Sequence, residues 1–381
     1  MTEIVPMSSP DLGEADVAAV AEVIRSGRLA LGPKTVEFER LIADYIGVKH
    51  VIAVSSGTAA LHLIVRALGL GAGDEVLVPS YTFAASVNAV LFEGCVPVFV
   101  DIDLETKNID PQDLERKISG RTKAIMVVDV FGHPAEWDAI LRIARTHNLK
   151  VIDDCCEALG AEYKGKKLGQ FGDAAAFSFY PNKQMTIGEG GAITTNDDGI
   201  ARLVRSLRNQ GRGEMGPWLE HVRLGYNYRL DELSAALGVS QFKRLESFLA
   251  KREQVARMYT QRLQGLDWVQ PPVVKPHVRM SWCLYVVTLT DNLDRDPVMR
   301  AMETRGIPTR GYFSPVHRQP YIRQQVHGGP GDLPVTESAA RRTLALPFFN
   351  NLTEAQVEQV VEVLAVAVRD VLSKEVPRRP S

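Results

Sequence analysis

The sequence predicts an α/β protein built on a mostly parallel sheet. Between residues 50 and 195, short continuous runs of Val, Ile and Leu alternate with segments whose apolar residues recur at helical spacing. Continuous apolar strands joined by helices are typical of a parallel sheet that is buried on both faces. At 381 residues, the chain is longer than one small core requires, and we expect two domains.

The predicted elements follow that alternation along the chain. Apolar spacing predicts helices at 16–26 and 35–45, and a strand at 50–54 runs into a helix rich in Ala and Leu. The same patterns predict strands at 75–80, 96–103, 123–132, 149–154, 174–179 and 192–195, with helices at 82–94, 111–118, 138–147 and 198–209.

One long helical pattern runs from residue 231 to about residue 263 with few breakers. Because a helix of that length often links two domains, we place the boundary near residue 250. The prediction is a large domain over 1–250, including the N-terminal segment, and a smaller α/β domain over 251–381. The smaller domain has a predicted strand at 282–290 and helices at 297–305 and 354–372.

Composition excludes several classes of protein. The formal net charge is −2 and 24% of the residues are charged. This charge balance does not favour binding to nucleic acid or to an anionic membrane surface. The N-terminus lacks a basic segment followed by an apolar core, and no apolar run is long enough to span a bilayer. The four cysteines, Cys95, Cys155, Cys156 and Cys283, suit neither a disulfide framework nor a metal site. We therefore expect a cytoplasmic protein with reduced thiols and no metal.

Polar residues cluster where five of the predicted strands end. In a parallel sheet the carboxyl ends of the strands share one edge, and ligands bind there. The polar segments at this edge are 56–58, 80–83, 129–133, 153–157 and 178–183. Their convergence predicts a site more strongly than any single motif does.

A lysine in the last of these segments is the main candidate for covalent chemistry. The stretch FSFYPNKQMTIGEGG places Lys183 in a loop between two strand-like runs, and Gly188, Gly190 and Gly191 follow it. Most loop lysines are solvated. A lysine that forms an imine with an aldehyde cofactor also needs a carboxylate that keeps the cofactor's ring nitrogen protonated. Asp154, at the end of a predicted strand, fits that requirement.

The same cofactor requires a phosphate site and an aromatic cover for its ring. Helix N-terminal amides and hydroxyls bind phosphate, and Gly57, Thr58 and Ser178 could supply them. Phe83 or Tyr81 could cover the ring. Each of these residues also has an ordinary structural interpretation, as a helix cap or a core side chain, and only their joint agreement favours the site.

Seven motifs together resemble the DegT/DnrJ/EryC1/StrS family of sugar aminotransferases. The motifs are LGPKTVEFE, AVSSGTAALHL, GDEVLVPSYTF, VIDDCCEALGA, GDAAAFSFYPNKQMTIGEGGAI, LGYNYRLDELSAALG and LPFFNNLT. The resemblance covers nearly the whole chain and is most specific from the lysine to GEGG. It implies the type I fold of pyridoxal 5′-phosphate (PLP) enzymes, in which a mostly parallel seven-stranded sheet is flanked by helices and followed by a smaller C-terminal α/β domain.

The resemblance also implies roles for individual residues. Lys183 matches the lysine that binds PLP as a Schiff base, and Asp154 matches the partner of the ring nitrogen. Gly57, Thr58 and Ser178 match phosphate ligands, Phe83 matches the stacking aromatic, and Asn227 matches an asparagine that reaches the phosphate from the partner subunit. Glu157 stands near the cofactor's phenolic oxygen, where many relatives carry Gln or His. A homodimer with shared active sites follows from the resemblance.

The implied reaction is a transamination with two half-reactions. L-Glutamate gives its amino group to the cofactor, which passes through pyridoxamine phosphate, and a nucleotide-linked keto sugar accepts the group. Glu157 favours the perosamine-synthase-like members, and hence a 4-keto-6-deoxyhexose. Arg229, Tyr312 and His317 are predicted to face the sugar nucleotide, although each could also serve packing.

Three alternative functions remain at this point. A different PLP reaction of the family, such as that of an aminodehydratase or a cyclitol aminotransferase, would use the same cofactor site. A non-catalytic PLP-binding regulator would need a DNA-binding domain, for which the segment before the first helix is short. A nucleotide-dependent oxidoreductase would need a strand–GxGxxG–helix unit, which the sequence lacks.

Overall fold

The computed structural model describes residues 5–213, 220–325 and 332–375. Within them the strands are β1 (His50–Val54), β2 (Glu75–Pro79), β3 (Val96–Val100), β4 (Thr122–Val128), β5 (Lys150–Asp154), β6 (Glu162–Tyr163), β7 (Lys166–Lys167), β8 (Ala174–Ser178), β9 (Gly191–Thr195), β10 (Val269–Gln270), β11 (Val278–Arg279), β12 (Tyr285–Leu289) and β13 (Thr343–Leu346).

The helices of the same residues are α1 (Glu14–Ser26), α2 (Pro33–Ile46), α3 (Gly57–Ala67), α4 (Ala84–Phe92), α5 (Pro111–Arg116), α6 (Trp137–His147), α7 (Asp198–Arg208), α8 (Glu232–Phe242), α9 (Leu245–Leu263), α10 (Arg295–Glu303), α11 (Pro320–Gln325), α12 (Pro334–Arg342) and α13 (Glu354–Glu375). In the described part of the chain, no helix combines the length and the apolar composition that crossing a bilayer requires.

Seven strands form the central sheet, in the order β1-β9-β8-β5-β4-β2-β3. β9 pairs antiparallel with both of its neighbours, and the other pairs are parallel. The predicted α/β class and the mostly parallel seven-stranded sheet are confirmed. Two three-stranded sheets, β10-β12-β13 and β11-β6-β7, complete the described strands.

The directions of the strands bring the predicted polar segments to one edge. β1, β2, β4, β5 and β8 all run the same way, because β9 is antiparallel to β1 and to β8. Their C-terminal ends therefore lie on the same side of the sheet. Apolar clusters on the two faces bury the strands, with Ile125 and Val127 on one face and Ala124 and Met126 on the other.

The single long helix predicted from residue 231 to about 263 is wrong, because the structure has two helices there. α8 ends at Phe242 and α9 begins at Leu245. Neither intervening residue is Gly or Pro, so the break has no local signal. It coincides with long-range contacts: the Arg244 guanidinium donates to the Asp16 carboxylate at 2.5 Å and to the Asp11 carbonyl at 3.3 Å.

α9 packs against two different apolar clusters. Phe248 and Leu249 belong to the cluster beneath the central sheet, whereas Val255 and Tyr259 belong to a cluster formed mainly by the C-terminal part of the chain. The change of partner falls between Leu249 and Val255. The division into domains 1–250 and 251–381 stays a prediction, with this helix running across it.

Glu232 joins α8 to the first turn of α2. Its carboxylate, in a residue that is 1% exposed, accepts from the backbone N–H groups of Lys34 and Thr35, each at 2.8 Å, and from the Thr35 hydroxyl. These otherwise unpaired amides of a helix N-terminus favour a negative charge. Burial alone would raise the pKa of Glu232, but hydrogen bonds from Thr35, Lys34 and Gly32 outweigh this effect and lower the pKa.

Glu232→Ala is expected to destabilise the fold by about 3 kcal/mol at pH 7, because it removes several hydrogen bonds to a buried charge. Since the folded-state pKa is depressed, the difference from wild type is fully present above the unfolded pKa of about 4.3. It is lost as the pH falls through the lower folded-state value. Urea unfolding across pH measures this, with the exposed Glu22→Ala as the control. A difference that does not change with pH would contradict the role of the charge.

Candidate active site

Lys183 lies in the loop between β8 and β9, with its side chain largely buried. Its backbone N–H donates to the Tyr180 carbonyl at 2.9 Å, which closes a turn. The Nζ atom lies 3.2 Å from Oε1 of Glu157, and the two side chains are 13% and 11% exposed. Burial alone would lower the pKa of the Lys183 ammonium, but the charge of Glu157 outweighs it and raises the pKa above its usual value.

Glu157 is fixed through both of its carboxylate oxygens and through its backbone. Oε2 accepts from the Phe131 N–H at 3.0 Å, while Oε1 faces Lys183. The Glu157 carbonyl accepts from the side-chain amide of Gln184 at 2.6 Å. The carboxylate is therefore held beside the amine of Lys183 by groups from two separate loops.

Asp154 ends β5 and is 4% exposed. Its Oδ1 accepts from the Cys156 N–H at 3.1 Å and its Oδ2 accepts from the Ser86 hydroxyl at 2.7 Å. Burial raises the pKa of Asp154 above its usual value, against these hydrogen bonds and the charge of Lys183. A buried carboxylate of this kind is stabilised when a cation binds against it.

The N-terminus of α3 meets Ser178 in a close contact that only glycine permits. A Cβ on Gly57 would lie 2.9 Å from the Ser178 Cβ and 2.9 Å from the Cys156 Sγ. Ser56 caps the helix by accepting from the Ala59 N–H at 3.0 Å. The arrangement brings a helix N-terminus and the hydroxyl of Ser178 together, with Thr58 in the first turn, as phosphate binding requires.

These three groups fit PLP. The cofactor has an aldehyde for an amine, a ring nitrogen that a carboxylate can hold protonated, and a phosphate for a helix N-terminus. Lys183, Asp154 and the Gly57–Ser178 contact offer the matching chemistry. Gly57 and Asp154 adjoin the same residue, Cys156, so the phosphate and ring-nitrogen candidates are neighbours.

The structure separates the two aromatic candidates. Phe83 is 64% exposed at the N-terminus of α4, at the edge where β2 ends. Tyr81 is fully buried, and its hydroxyl contacts the Tyr312 carbonyl and the Thr343 hydroxyl. Phe83 is therefore accessible from solvent, whereas Tyr81 anchors the backbone of the segment that carries Tyr312, and a stacking role for Phe83 stays a prediction.

Asn227 and Arg229 lie beside the end of β1. The Ser55 N–H donates to the Tyr228 carbonyl at 2.9 Å, and Arg229 forms a β-bridge with Val54. The Arg229 guanidinium donates to the Asn209 side chain at 3.1 Å. Asn227 is exposed. Its predicted reach into a partner subunit's site stays a prediction.

Tyr312 and His317 have different surroundings. Burial, and after it the negative charge of Glu157, raises the pKa of Tyr312, so this side chain lies in the electrostatic environment of the pair formed by Lys183 and Glu157. His317 is 4% exposed, with Nδ1 2.7 Å from the Ser80 hydroxyl and Nε2 3.3 Å from Glu337. Burial lowers the pKa of His317. A role for His317 toward the substrate stays a prediction.

Sequence reasoning missed two residues that hold the site together. Ser86, the donor to Asp154, is one helical turn beyond Phe83, and this hydroxyl in an apolar helix was a usable signal. Gln184, the donor to Glu157, follows Lys183 directly, but nothing in its spacing indicates that its side chain turns inward.

The chain is similar to known proteins in both sequence and structure. Residues 10–365 match the DegT/DnrJ/EryC1/StrS aminotransferase family. The chain is 45% identical over 345 residues to GDP-perosamine synthase of Caulobacter vibrioides, covering 88% of this chain and 90% of that protein. It resembles the structure of S. venezuelae DesV in complex with a ketimine intermediate, with a TM-score of 0.89, 36% identity and full coverage of both chains.

A third similar protein is a putative sugar aminotransferase, Spr1654 of Streptococcus pneumoniae. Its structures in the PLP and PMP forms match with TM-scores of 0.91 and 0.92 at 26% identity, over 97% of this chain and 100% and 99% of those chains. The chain therefore belongs to the DegT/DnrJ/EryC1/StrS aminotransferase family, and it is a PLP-dependent sugar aminotransferase.

Proposed function

We propose that this enzyme moves an amino group from L-glutamate to a nucleotide-linked 4-keto-6-deoxyhexose. The observation that carries the substrate class is the 45% identity to GDP-perosamine synthase over nine-tenths of that protein. The presence of a buried lysine beside a carboxylate supports transamination over reactions that need no amine.

In this proposal Lys183 has two tasks. It holds the cofactor covalently through Nζ, and after release it takes the proton from Cα of glutamate. When bound, PLP supplies the aldehyde that exchanges the amino group and a ring that withdraws electrons from the reacting carbon. Asp154 holds the ring nitrogen protonated, because a carboxylate buried to 4% exposure strongly favours a cationic partner.

Glu157 controls the charge of the free lysine in the same proposal. Its Oε1 lies 3.2 Å from Nζ. The positive charge of a protonated Lys183 is therefore balanced by the negative charge of the Glu157 carboxylate. With PLP bound at Lys183, the Glu157 carboxylate would lie near the phenolic oxygen of the cofactor. The negative charges of the carboxylate and the phenolic oxygen would repel each other, so one of these two groups must carry a proton.

The remaining contacts divide between cofactor and substrate. Gly57, Thr58 and Ser178 bind the phosphate, and Phe83 stacks on the ring. Arg229, Tyr312 and His317 are the proposed residues on the sugar-nucleotide side. Among these, Tyr312 is supported by its electrostatic proximity to Glu157 and Lys183.

A homodimer with shared sites completes the proposal, with Asn227 reaching the phosphate of the partner subunit's site. Two features of the described surface support it. Asn227 is exposed next to the edge that carries the site. Large apolar side chains are exposed on α1, α2 and the loop between them, namely Val17, Ile24, Leu29, Leu31 and Val36, as is typical of a face covered by another chain.

The test is a two-step experiment on the purified protein supplied with PLP. L-Glutamate should change the absorption of the bound cofactor and release one equivalent of 2-oxoglutarate. A matching nucleotide-linked 4-keto-6-deoxyhexose should restore the absorption and appear as an amino sugar by mass spectrometry. The same nucleotide sugar without the keto group is the control. If the enzyme converts the keto sugar into a product that has gained no amino group, the proposal is wrong.

A further inference from the structure

A buried arginine holds the turn that carries Lys183. Arg252, in the middle of α9, is 3% exposed. Its Nη2 donates to the backbone carbonyl of Lys183 at 3.0 Å and to that of Asn182 at 3.2 Å. One planar group therefore fixes the last two carbonyls of the turn. Burial lowers the pKa of Arg252 to about 10, so it remains a cation at neutral pH.

Among the described residues, the Arg252 guanidinium hydrogen-bonds only to the carbonyls of the turn and forms no ion pair. Its Nε and Nη1 have no hydrogen-bond partner among the residues that the structure describes, so no carboxylate there hydrogen-bonds to this cation. The Phe348 ring, with its centroid 5.3 Å from Cζ, is its aromatic neighbour. An unpaired buried charge costs free energy, and this cost offsets what the two hydrogen bonds to the turn contribute to stability.

The turn is held on its other side as well. Gln184 donates from its side-chain amide to the Glu157 carbonyl at 2.6 Å and to the Ser281 hydroxyl at 2.9 Å. The backbone before Lys183 is thus tied to α9, and the residue after it is tied to Glu157. This leaves Nζ of Lys183 aimed at Oε1 of Glu157.

We propose that Arg252 is a positioning residue, which sets the direction of the Lys183 side chain by holding the carbonyls of Asn182 and Lys183. This inference rests on the proposed covalent role of Lys183. A reacting atom that is displaced by about 1 Å can cost on the order of 100-fold in rate. Removing the guanidinium should therefore slow the chemistry of Nζ and leave folding nearly unchanged.

The test compares Arg252→Met with Arg257→Met in the full-length protein. Arg257 is on the same helix, and its side chain is 66% exposed. Both variants should unfold within a few degrees of wild type. The rate at which the PLP-free protein binds added PLP covalently, trapped by borohydride and read by intact mass, should fall by roughly 10- to 100-fold in Arg252→Met alone. The kcat should fall by a similar factor, with the KM for the keto sugar nearly unchanged.

Chemical rescue separates positioning from a general loss of packing. In Arg252→Ala, added guanidinium ion, at concentrations far below those that unfold proteins, should recover much of the trapping rate. It should not accelerate wild type or Arg257→Met. Arg252→Lys should recover less than guanidinium does, because the lysine side chain is shorter and its ammonium lacks the fixed planar donors of a guanidinium.

Each outcome has a distinct meaning. If wild type traps no cofactor at Lys183, the proposed function fails, and this inference fails with it. If wild type traps the cofactor and Arg252→Met does so equally fast, the function stands and the positioning role is wrong. A large loss of stability in Arg252→Met, with no rescue of Arg252→Ala by guanidinium, would also overturn the positioning role.

Discussion

Replacing Lys183 by alanine is expected to abolish transamination, with a loss of kcat of at least roughly 1,000-fold. The substitution removes the proposed covalent link and the base that takes the proton from Cα of glutamate, and general base catalysis by a side chain contributes about 10²–10⁴. Lys183→Arg should fail as well, since a guanidinium stays protonated and is a poor nucleophile. Release of 2-oxoglutarate from glutamate, measured in a single turnover, is the readout.

The exposed Lys166 provides the control, because Lys166→Ala changes a lysine outside the site. It should retain wild-type activity. Borohydride reduction followed by peptide mapping should place the cofactor on Lys183 in wild type and on no lysine in Lys183→Ala. Appreciable turnover by Lys183→Ala would remove the central residue of the proposed mechanism.

Asp154→Asn has the second-largest expected effect. The change keeps the size of the side chain but removes the charge that the proposal places against the ring nitrogen. Breaking a buried ion pair costs about 3–5 kcal/mol, which corresponds to roughly 10²–10⁴ in rate. The rate of amino-group transfer from glutamate should fall by that factor, as measured by stopped-flow absorption.

Asp138→Asn is the matched control, since Asp138 is on the surface and pairs with Lys164. Asp154→Asn should leave the midpoint temperature of thermal unfolding of the PLP-free protein nearly unchanged or should raise it, because an amide is less costly to bury than a charge. The combination of a stable fold and slow transfer is the expected result. Transfer at the wild-type rate would show that Asp154 does not partner the ring nitrogen.

Much of the fold was predictable because the sheet is buried on both faces. The strand predicted at 50–54 is found as His50–Val54, and that predicted at 149–154 is found as Lys150–Asp154. The strand predicted at 282–290 is shorter in the structure, at Tyr285–Leu289. Trp282 has a positive φ of 54°. This backbone conformation is uncommon for residues other than glycine, and the presence of a tryptophan does not predict it.

The candidate site was predictable only in part. Lys183 and Asp154 stand at strand ends, and the topology of a parallel sheet brings such positions together whatever the rest of the chain does. Arg252 approaches Lys183 from a separate helix, across 69 residues of sequence. Neither hydrophobic periodicity nor local spacing encodes such a contact, because it depends on how α9 is oriented in the folded protein.

The position of Arg252 between the two clusters that α9 joins has a consequence for the energetics of the site. Phe248 packs under the central sheet, Tyr259 packs with the C-terminal cluster, and the guanidinium projects from the stretch between them. A displacement of the helix therefore moves the donor that holds the Lys183 carbonyl. We therefore expect substitutions near Tyr259 and near Lys183 to be coupled through this helix, with non-additive effects on the reaction, although Tyr259 does not contact the turn that carries Lys183 through its own hydrogen bond.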